Sequence, residues 1–414
     1  MSDYPRRVLD RPRVLAVTGE APWPLDSGGH LRTFHLLRAL HQATDLRLVL
    51  PVLLDRRGPA AELAAQGFWV RDVLVGPRTA RGELRQMYRS VRSREPYMMY
   101  RRHFWPAAQA AFAEELKTFR PAVVYLDHLD SAQHLDAIPE SGVPTILDMH
   151  NVYSTLVDRM AAERWNPLTR VLYRREARAL DRVERRTVLE VTAVTAVSEI
   201  EAQHFQNIGA RSVYVVPNGV DCDSFADMPV GREGSAPIVL FLGTMSWGPN
   251  ASAARFLADV VFPNIRQRIP ATRLLIVGRD PPADVRELAE RPGIEVIGNV
   301  PDVRPYLRQA SVMAVPLDAG GGTRLKILEA FAAGLPVVST AVGAEGIEAA
   351  PGEHFVQVER PEFLDGVLWV LENPEAAAGL AAPAREVARE AYDWSRIGRA
   401  AVDVVQEVAG MKRY

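Results

Sequence analysis

Short β-branched runs alternate with helix-length patterns along this chain, and the alternation stops once and then begins again. Residues 13–18, 46–51, 123–126, 144–148, 193–196 and 212–216 read as buried strands, each closed by Gly, Pro or a polar cluster. Helical patterns lie between them, at 31–40, 107–117 and the arginine-rich 174–190. Strand, helix, strand in that order predicts helices covering a mostly parallel sheet. The stretch 221–237 carries Pro, Gly and Glu without periodicity, and the pattern resumes with strands at 238–242, 273–277, 294–297, 312–315 and 336–339. Helices are expected at 251–265, 303–309 and 325–333. A chain of 414 residues is long enough for two such domains with separate cores. The expected organisation is α/β: a first domain over 1–222, a second over 223–392, and an amphipathic helix within 393–414 that returns to the first.

Apolar residues make up 48% and charged residues 24% of the chain, an ordinary balance for a domain with a packed core. The formal net charge of -2 gives no global attraction to nucleic acid, and none is expected as a partner, although the arginines can still form a local basic face. Cys222 is the single cysteine, so neither an internal disulfide nor a thiolate metal cluster is expected. The first residues lack an apolar targeting segment, and no apolar stretch approaches the roughly 18 residues that span a bilayer. The expectation is a cytoplasmic protein, with peripheral contact at the inner face of the membrane left open. The nine histidines form no H-E-x-x-H pattern, and no metal site is expected. Asp221-Cys-Asp223 has a D-x-D spacing but lies beside the Asn218-Gly219 turn, where loop use is the simpler reading.

The run Asp318-Ala-Gly-Gly-Gly-Thr-Arg-Leu-Lys-Ile-Leu-Glu329 carries the most chemistry. Side chains three apart share a helix face, so Lys326 and Glu329 point the same way. A glycine loop opening onto a helix leaves backbone N–H groups facing outward, and these, with the positive end of the helix dipole, hold phosphate well. Gly321, Gly322 and Thr323 would supply those donors, Lys326 and Arg324 the cations, and Glu329 an acceptor for ribose hydroxyls. Those are the three needs of a nucleoside diphosphate.

Other strand ends gather similar residues. Gly28 and Gly29 precede a helix near His30 and bring backbone N–H groups close to a phosphate or sugar, with Arg32 in the first turn. The spacing is neither a dinucleotide fingerprint nor a Walker loop. Asp148, His150 and Asn151 end the strand at 144–148, where a histidine can donate to or accept from a sugar hydroxyl. In the second domain Gly243 and Thr244 end a strand, Asn250 is placed to cap the helix beginning at Ala251, Gly278 and Arg279 end the next strand, and residues 299–301 line a base-side loop.

In order and spacing, Gly28-Gly29, His150, Pro217-Asn218-Gly219-Val220-Asp221, Gly243, Val277-Gly278 and the segment from Glu329 to Ser339 resemble the family-four retaining glycosyltransferases of the GT-B fold. The resemblance spans nearly the whole chain and is nearest to bacterial surface-glycan sugar transferases. It implies two Rossmann-like domains facing across a cleft. It further implies metal-independent transfer of a sugar from a UDP-, GDP- or dTDP-sugar to a hydroxyl acceptor, whether glycan, lipid-linked sugar or small molecule, with no separate cofactor. On that resemblance Glu329 is the second acid of a Glu-x7-Glu motif and binds the donor ribose. The first acid falls at Gly321, so a carboxylate contact with the donor sugar is replaced by backbone N–H groups. The Arg and Lys that such enzymes place after the first strand of the second domain are absent from Ser246-Trp-Gly-Pro-Asn250, which leaves the diphosphate to Lys326 or Arg324. His150 is assigned to the donor sugar, and Gly28, Gly29, Gly243, Gly278 and Arg279 to the donor cradle. Two other readings stand beside transfer: a nucleotide-sugar epimerase of the same build, and a catalytically inactive nucleotide-sugar-binding protein.

Overall fold

The computed structural model describes residues 11–25, 27–54, 58–77, 79–139, 142–162, 166–229, 236–319 and 324–410. The first domain is built on seven strands: β1 (Arg13–Val17), β2 (Asp45–Leu53), β3 (Trp69–Val75), β4 (Val123–Asp127), β5 (Thr145–Asp148), β6 (Ala193–Ala196) and β7 (Val213–Val215), in the order β3-β2-β1-β4-β5-β6-β7. Six more form the second sheet: β8 (Ile238–Leu242), β9 (Arg273–Gly278), β10 (Ile294–Gly298), β11 (Val312–Val315), β12 (Val337–Ser339) and β13 (Val356–Gln357), in the order β10-β9-β8-β11-β12-β13. Every pairing in both sheets is parallel. Parallel strands are covered on both faces, so β1, β4, β8 and β11 read as unbroken apolar runs and are buried almost throughout.

The sequence pattern omits β3 and β13. Trp-Val-Arg-Asp-Val-Leu-Val in β3 is interrupted by Arg71 and Asp72 because β3 is an edge strand with one side toward water. β13 has two residues, too short for any periodicity.

Strand order reverses between β1 and β4 in the first sheet and between β8 and β11 in the second. Such switch points open a crevice beyond the strands' carboxyl ends. The helix Gly28–Ala43 follows β1 and the helix Leu325–Ala332 follows β11, so each delivers its N-terminus to one crevice. The two meet across the interdomain cleft: a Cβ built on Gly28 would lie 2.9 Å from Leu325 Cδ1.

The chain crosses between domains twice, side by side. Val220 N–H donates to the Tyr392 carbonyl at 2.7 Å, and Trp394 N–H to the Val220 carbonyl at 3.1 Å. The helix Trp394–Gly410 then packs on Gly28–Ala43: Trp394 stacks on His35 with ring centroids 4.7 Å apart, and a Cβ on Gly398 would lie 2.6 Å from that of Ala39. Trp394, Ile397, Val404, Val405 and Val408 belong to the same buried cluster as Val14 and Leu37 of the first domain. The apolar stripe of this helix thus completes a core from which it is distant in sequence.

Candidate active site

Strand ends β4 and β5 carry Asp127 and Asp148, and two histidines close over them. His150 Nε2 lies 3.1 Å from Asp127 Oδ1 and 3.1 Å from Asp148 Oδ2, while His128 Nδ1 lies 3.1 Å from Asp127 Oδ2. The imidazole centroids of His128 and His150 are 3.4 Å apart, and His128 takes a left-handed backbone with φ of 66°. Burial alone would raise the Asp127 carboxyl, but the neighbouring His128 and His150 hold it well below the usual range. Burial opposes charge on His128 as well, yet Asp127 outweighs it and lifts that imidazole to about 9. Asp127, His128 and His150 offer ligand atoms within 4.8 Å of one another, a grouping that could hold a cation. In this structure those atoms are joined by the hydrogen bonds just described.

Arg32 underlies this cluster. It is fully buried, pairs with Asp148 through Nε at 3.1 Å and Nη2 at 2.6 Å, and uses Nη1 on the carbonyls of Val216 at 2.7 Å and Pro217 at 3.0 Å. Burial of a guanidinium is costly without such pairing. Thr195 also donates to Asp148, and Thr33 donates to Asp127 at 3.0 Å. The Pro217-Asn218 turn at the domain crossing is thereby tied to the strand end that positions His150.

Gly28 and Gly29 lie within the first turn of their helix, with Ser27 as the cap: its Oγ accepts from His30 N at 3.2 Å. A Cβ on Gly29 would stand 3.6 Å from His128 Nε2 and 4.0 Å from His150 Nδ1. The helix N-terminus and both imidazoles therefore face one small space.

Across the cleft, Lys326 Nζ donates to Asn250 Oδ1 at 2.8 Å and sits 4.5 Å above the Phe241 ring. Burial, helped by Arg324 and opposed by Glu329, lowers the ammonium to about 7. Burial raises the Glu329 carboxyl to about 7 against the pull of Lys326. Both groups are half-buried on one helix face. Asn250 is not the expected cap. It lies inside the helix Gly248–Phe256, whose cap position is Trp247, and its amide bridges the Thr244 carbonyl, at 2.9 Å, to Lys326.

Gly243 and Gly278 make room beneath the lysine. A Cβ on Gly243 would come within 2.9 Å of Lys326 Nζ, and one on Gly278 would overlap the Gly243 carbonyl oxygen. Arg279 lies beside Asp280 at 3.5 Å. A depression of about 430 Å³ opens next to it, lined by Asp280, Pro281, Arg286, Val296, Gly298 and Asn299. Asp280 and Asn299 both hold left-handed backbones, with φ of 49° and 53°. Arg324 precedes the Lys326 helix and is buried; it donates to the Val342 carbonyl at 3.3 Å and lies 4.0 Å from Glu345. Arg159, from the first domain, grips the same Glu345 at 2.7 and 3.1 Å. Gly321, Gly322 and Thr323 fall outside the described residues. Asp221 caps the short turn Cys222–Phe225, where its Oδ1 accepts from Ser224 N at 3.3 Å.

Sequence reading missed Asp127, His128, Thr33 and the bridging role of Asn250. The signal for the first two was present: Asp127-His128 ends a buried strand just as Asp148 and His150 do.

Residues 60–224 match the family described as Glycosyltransferase Family 4, and residues 236–373 match Glycosyl transferases group 1, one on each domain. Over 229 residues the chain is 32% identical to a phosphatidyl-myo-inositol mannosyltransferase of Mycobacterium tuberculosis, a match covering 52% of this chain and 59% of that relative. The chain thus spans about three fifths of the length of that relative. It superposes on a glycosyltransferase from Rickettsia africae with a TM-score of 0.68 at 15% identity, covering 97% of this chain and 99% of that one. Anabaena HepE, solved with UDP and glucose, superposes with a TM-score of 0.66 at 13% identity over 97% of this chain and 100% of the other. These structural likenesses show the fold.

Proposed function

We propose that this chain, whose two domains each match a glycosyltransferase family, is a glycosyltransferase that moves a sugar from a nucleotide-sugar donor to a hydroxyl acceptor with retention at the anomeric carbon. The observation that carries the reading is the meeting of two helix N-termini across the cleft, at Gly28 and Leu325, with Lys326 and Glu329 on one side and His128 and His150 on the other.

In transfer, the bond from the anomeric carbon to the diphosphate oxygen breaks and one to the acceptor oxygen forms, while the acceptor proton passes to a phosphate oxygen on the same face. Negative charge grows on the leaving diphosphate. A cation already fixed by Asn250 and drawn out of water stabilises that charge more in the transition state than in the ground state. Glu329 accepts from the ribose hydroxyls, and the depression beside Asn299 receives the base. His150 presents Nδ1 to the donor sugar because Asp127 and Asp148 occupy Nε2. The two aspartates are held ionised, which suits positioning and not the proton shuttling an epimerase requires. With Lys326 as the charge partner, turnover is metal-independent in this reading.

Structural neighbours solved with UDP or UDP-glucose favour a uridine or related nucleotide. The mycobacterial relatives act, by name, on a phosphatidylinositol lipid, which favours a lipid-linked acceptor. Release of nucleoside diphosphate from a panel of UDP-, GDP- and dTDP-sugars, with and without chelator, tests the proposal. Acceptor-dependent release that survives chelation is expected. Binding without release, or isomer exchange without acceptor, would overturn it.

A further inference from the structure

Arg324 stands two residues before Lys326, in the cap position of the helix Leu325–Ala332, yet the two cations are held in different places. Lys326 is engaged by Asn250 and Phe241, whereas the Arg324 guanidinium reaches the loop after β12, where Nη2 donates to the Val342 carbonyl at 3.3 Å and lies 4.0 Å from Glu345. Burial pulls this guanidinium down to about 10, and Glu345 is the foremost charge opposing that shift.

The loop that carries Glu345 is a fixed arm. Thr340 Oγ1 donates to the Leu317 carbonyl at 2.6 Å and accepts from Gly343 N at 3.0 Å, and Ala344 N donates to the Thr340 carbonyl at 3.1 Å. A Cβ on Gly343 would come within 2.6 Å of the Val315 carbonyl oxygen, at the end of β11. Glu345 is therefore borne on the ends of β11 and β12, the strands that precede and follow the Lys326 helix.

Across the seam, the helix Tyr153–Ala162 begins just beyond His150 and presents Arg159 to the same carboxylate, with Nη1 at 2.7 Å and Nη2 at 3.1 Å. Its own start is fixed by Glu184, which accepts from Ser154 N at 3.1 Å. Glu201, on the helix Glu199–Asn207, adds a second carboxylate to the field at Arg159 and Arg324. The Arg159 and Glu345 side chains are 39% and 28% exposed, so water screens the pair and it contributes little to folding stability. Beside it a cavity of about 110 Å³ is lined by Leu156, Ser198 and His204 from the first domain and by Gly346 from the second. The buried apolar cores of the two domains are separate clusters, and domains joined in that way move relative to one another by default. A two-pronged ion pair in such a seam holds little energy but fixes geometry. It lies on a continuous line of contacts from the strand end of His150 to the N-terminus of the Lys326 helix.

We propose that Arg159, Glu345 and Arg324 are positioning residues for transfer: Arg159 docks on Glu345, and Arg324 carries that docking to the Lys326 helix, so that Lys326 and His150 address one donor together. The proposal rests on the role given to Lys326 above. Nucleotide is held by the second domain alone, whereas turnover needs both domains in register, so this line of contacts acts on kcat and not on nucleotide affinity.

The test is a double-mutant cycle of Arg159→Gln and Glu345→Gln in the full chain, with Arg159→Lys and Lys326→Ala beside it. Acceptor-dependent release of nucleoside diphosphate gives kcat, and calorimetric titration gives nucleoside diphosphate affinity. Arg159→Gln is expected to lower kcat about tenfold while affinity stays within about twofold, because misplacement of a reacting pair costs rate before it costs binding. Arg159→Lys should recover part of the loss, since it restores the charge without the fork. The double variant should turn over no more slowly than Glu345→Gln alone. Unchanged kcat in both single variants, beside a Lys326→Ala that has lost turnover, would overturn the proposal and leave the role of Lys326 standing. Additive losses in the cycle, or a fall in affinity as large as the fall in kcat, would overturn it as well. Full turnover in Lys326→Ala would remove the role of Lys326, and the proposal with it.

Discussion

Gly278 and Gly243 pack backbone to backbone at the ends of β9 and β8, so closely that a Cβ on Gly278 would overlap the Gly243 carbonyl oxygen. Above Gly243 lies Lys326 Nζ, 2.9 Å from where its Cβ would stand. The floor of the second-domain crevice is therefore bare main chain, and the lysine rests on it.

Gly278→Ala is accordingly expected to destabilise the protein by about 3 kcal/mol, because the obstacle is a strand-end carbonyl that cannot turn aside. Gly243→Ala should cost less stability, since its Cβ meets the Asn250 and Lys326 side chains, and should weaken nucleotide binding more. Urea unfolding midpoints and nucleoside diphosphate titrations of the two variants check the contrast.

Arg32→Ala strands Asp148 as an uncompensated buried charge and releases the Pro217 turn. A loss of about 3–5 kcal/mol is expected. Asp148→Asn in the same chain should recover part of it. A double-mutant cycle on unfolding free energy reads the coupling directly, and additive losses would show that the pair does not act as a unit.

His128 gives stability a pH signature. Its folded-state value, about 9, lies above the ordinary 6.5, so its contribution is fully present below about 6.5 and is lost as pH rises through 9. The melting temperature should fall between pH 6 and pH 9 by more in the native protein than in His128→Gln. Equal falls in the two would remove His128 from the account.

The two-domain α/β order was legible because parallel strands buried on both faces leave continuous apolar runs, such as Ile238–Leu242 and Val312–Val315. Edge strand β3 escaped notice for the converse reason. At the candidate site, strand-end position placed His150, Gly243 and Gly278 at the cleft edge, and helical spacing put Lys326 and Glu329 on one face; the structure has them there. Asn250 was misread because its sequence position before an alanine-rich helix suits a cap, whereas the helix begins at Gly248 with Pro249 in its first turn, and the Asn250 amide oxygen accepts from Lys326 instead. The Arg32 network was hidden for a different reason: its partners are 116 to 186 residues away, and one chain's pattern carries no trace of such pairings.

Nucleoside diphosphate affinity should itself depend on pH. Lys326 must be charged to hold phosphate, and its value is near 7, so affinity should fall as pH rises through about 7. Glu329→Gln removes the group that favours the charged lysine and should move that fall to lower pH. Calorimetric titration from pH 6 to 9 measures both curves.

In the proposed function one helix face holds the donor, with Lys326 meeting the leaving-group charge and Glu329 the ribose. Donor-dependent release of nucleoside diphosphate, measured for Lys326→Ala and Glu329→Ala in variants that remain folded, tests it most directly. Lys326→Ala should lower kcat by about 10²–10³-fold, while Glu329→Ala should mainly raise KM, by roughly 10–100-fold. Unchanged kcat and KM in both variants would contradict the assignment of this site.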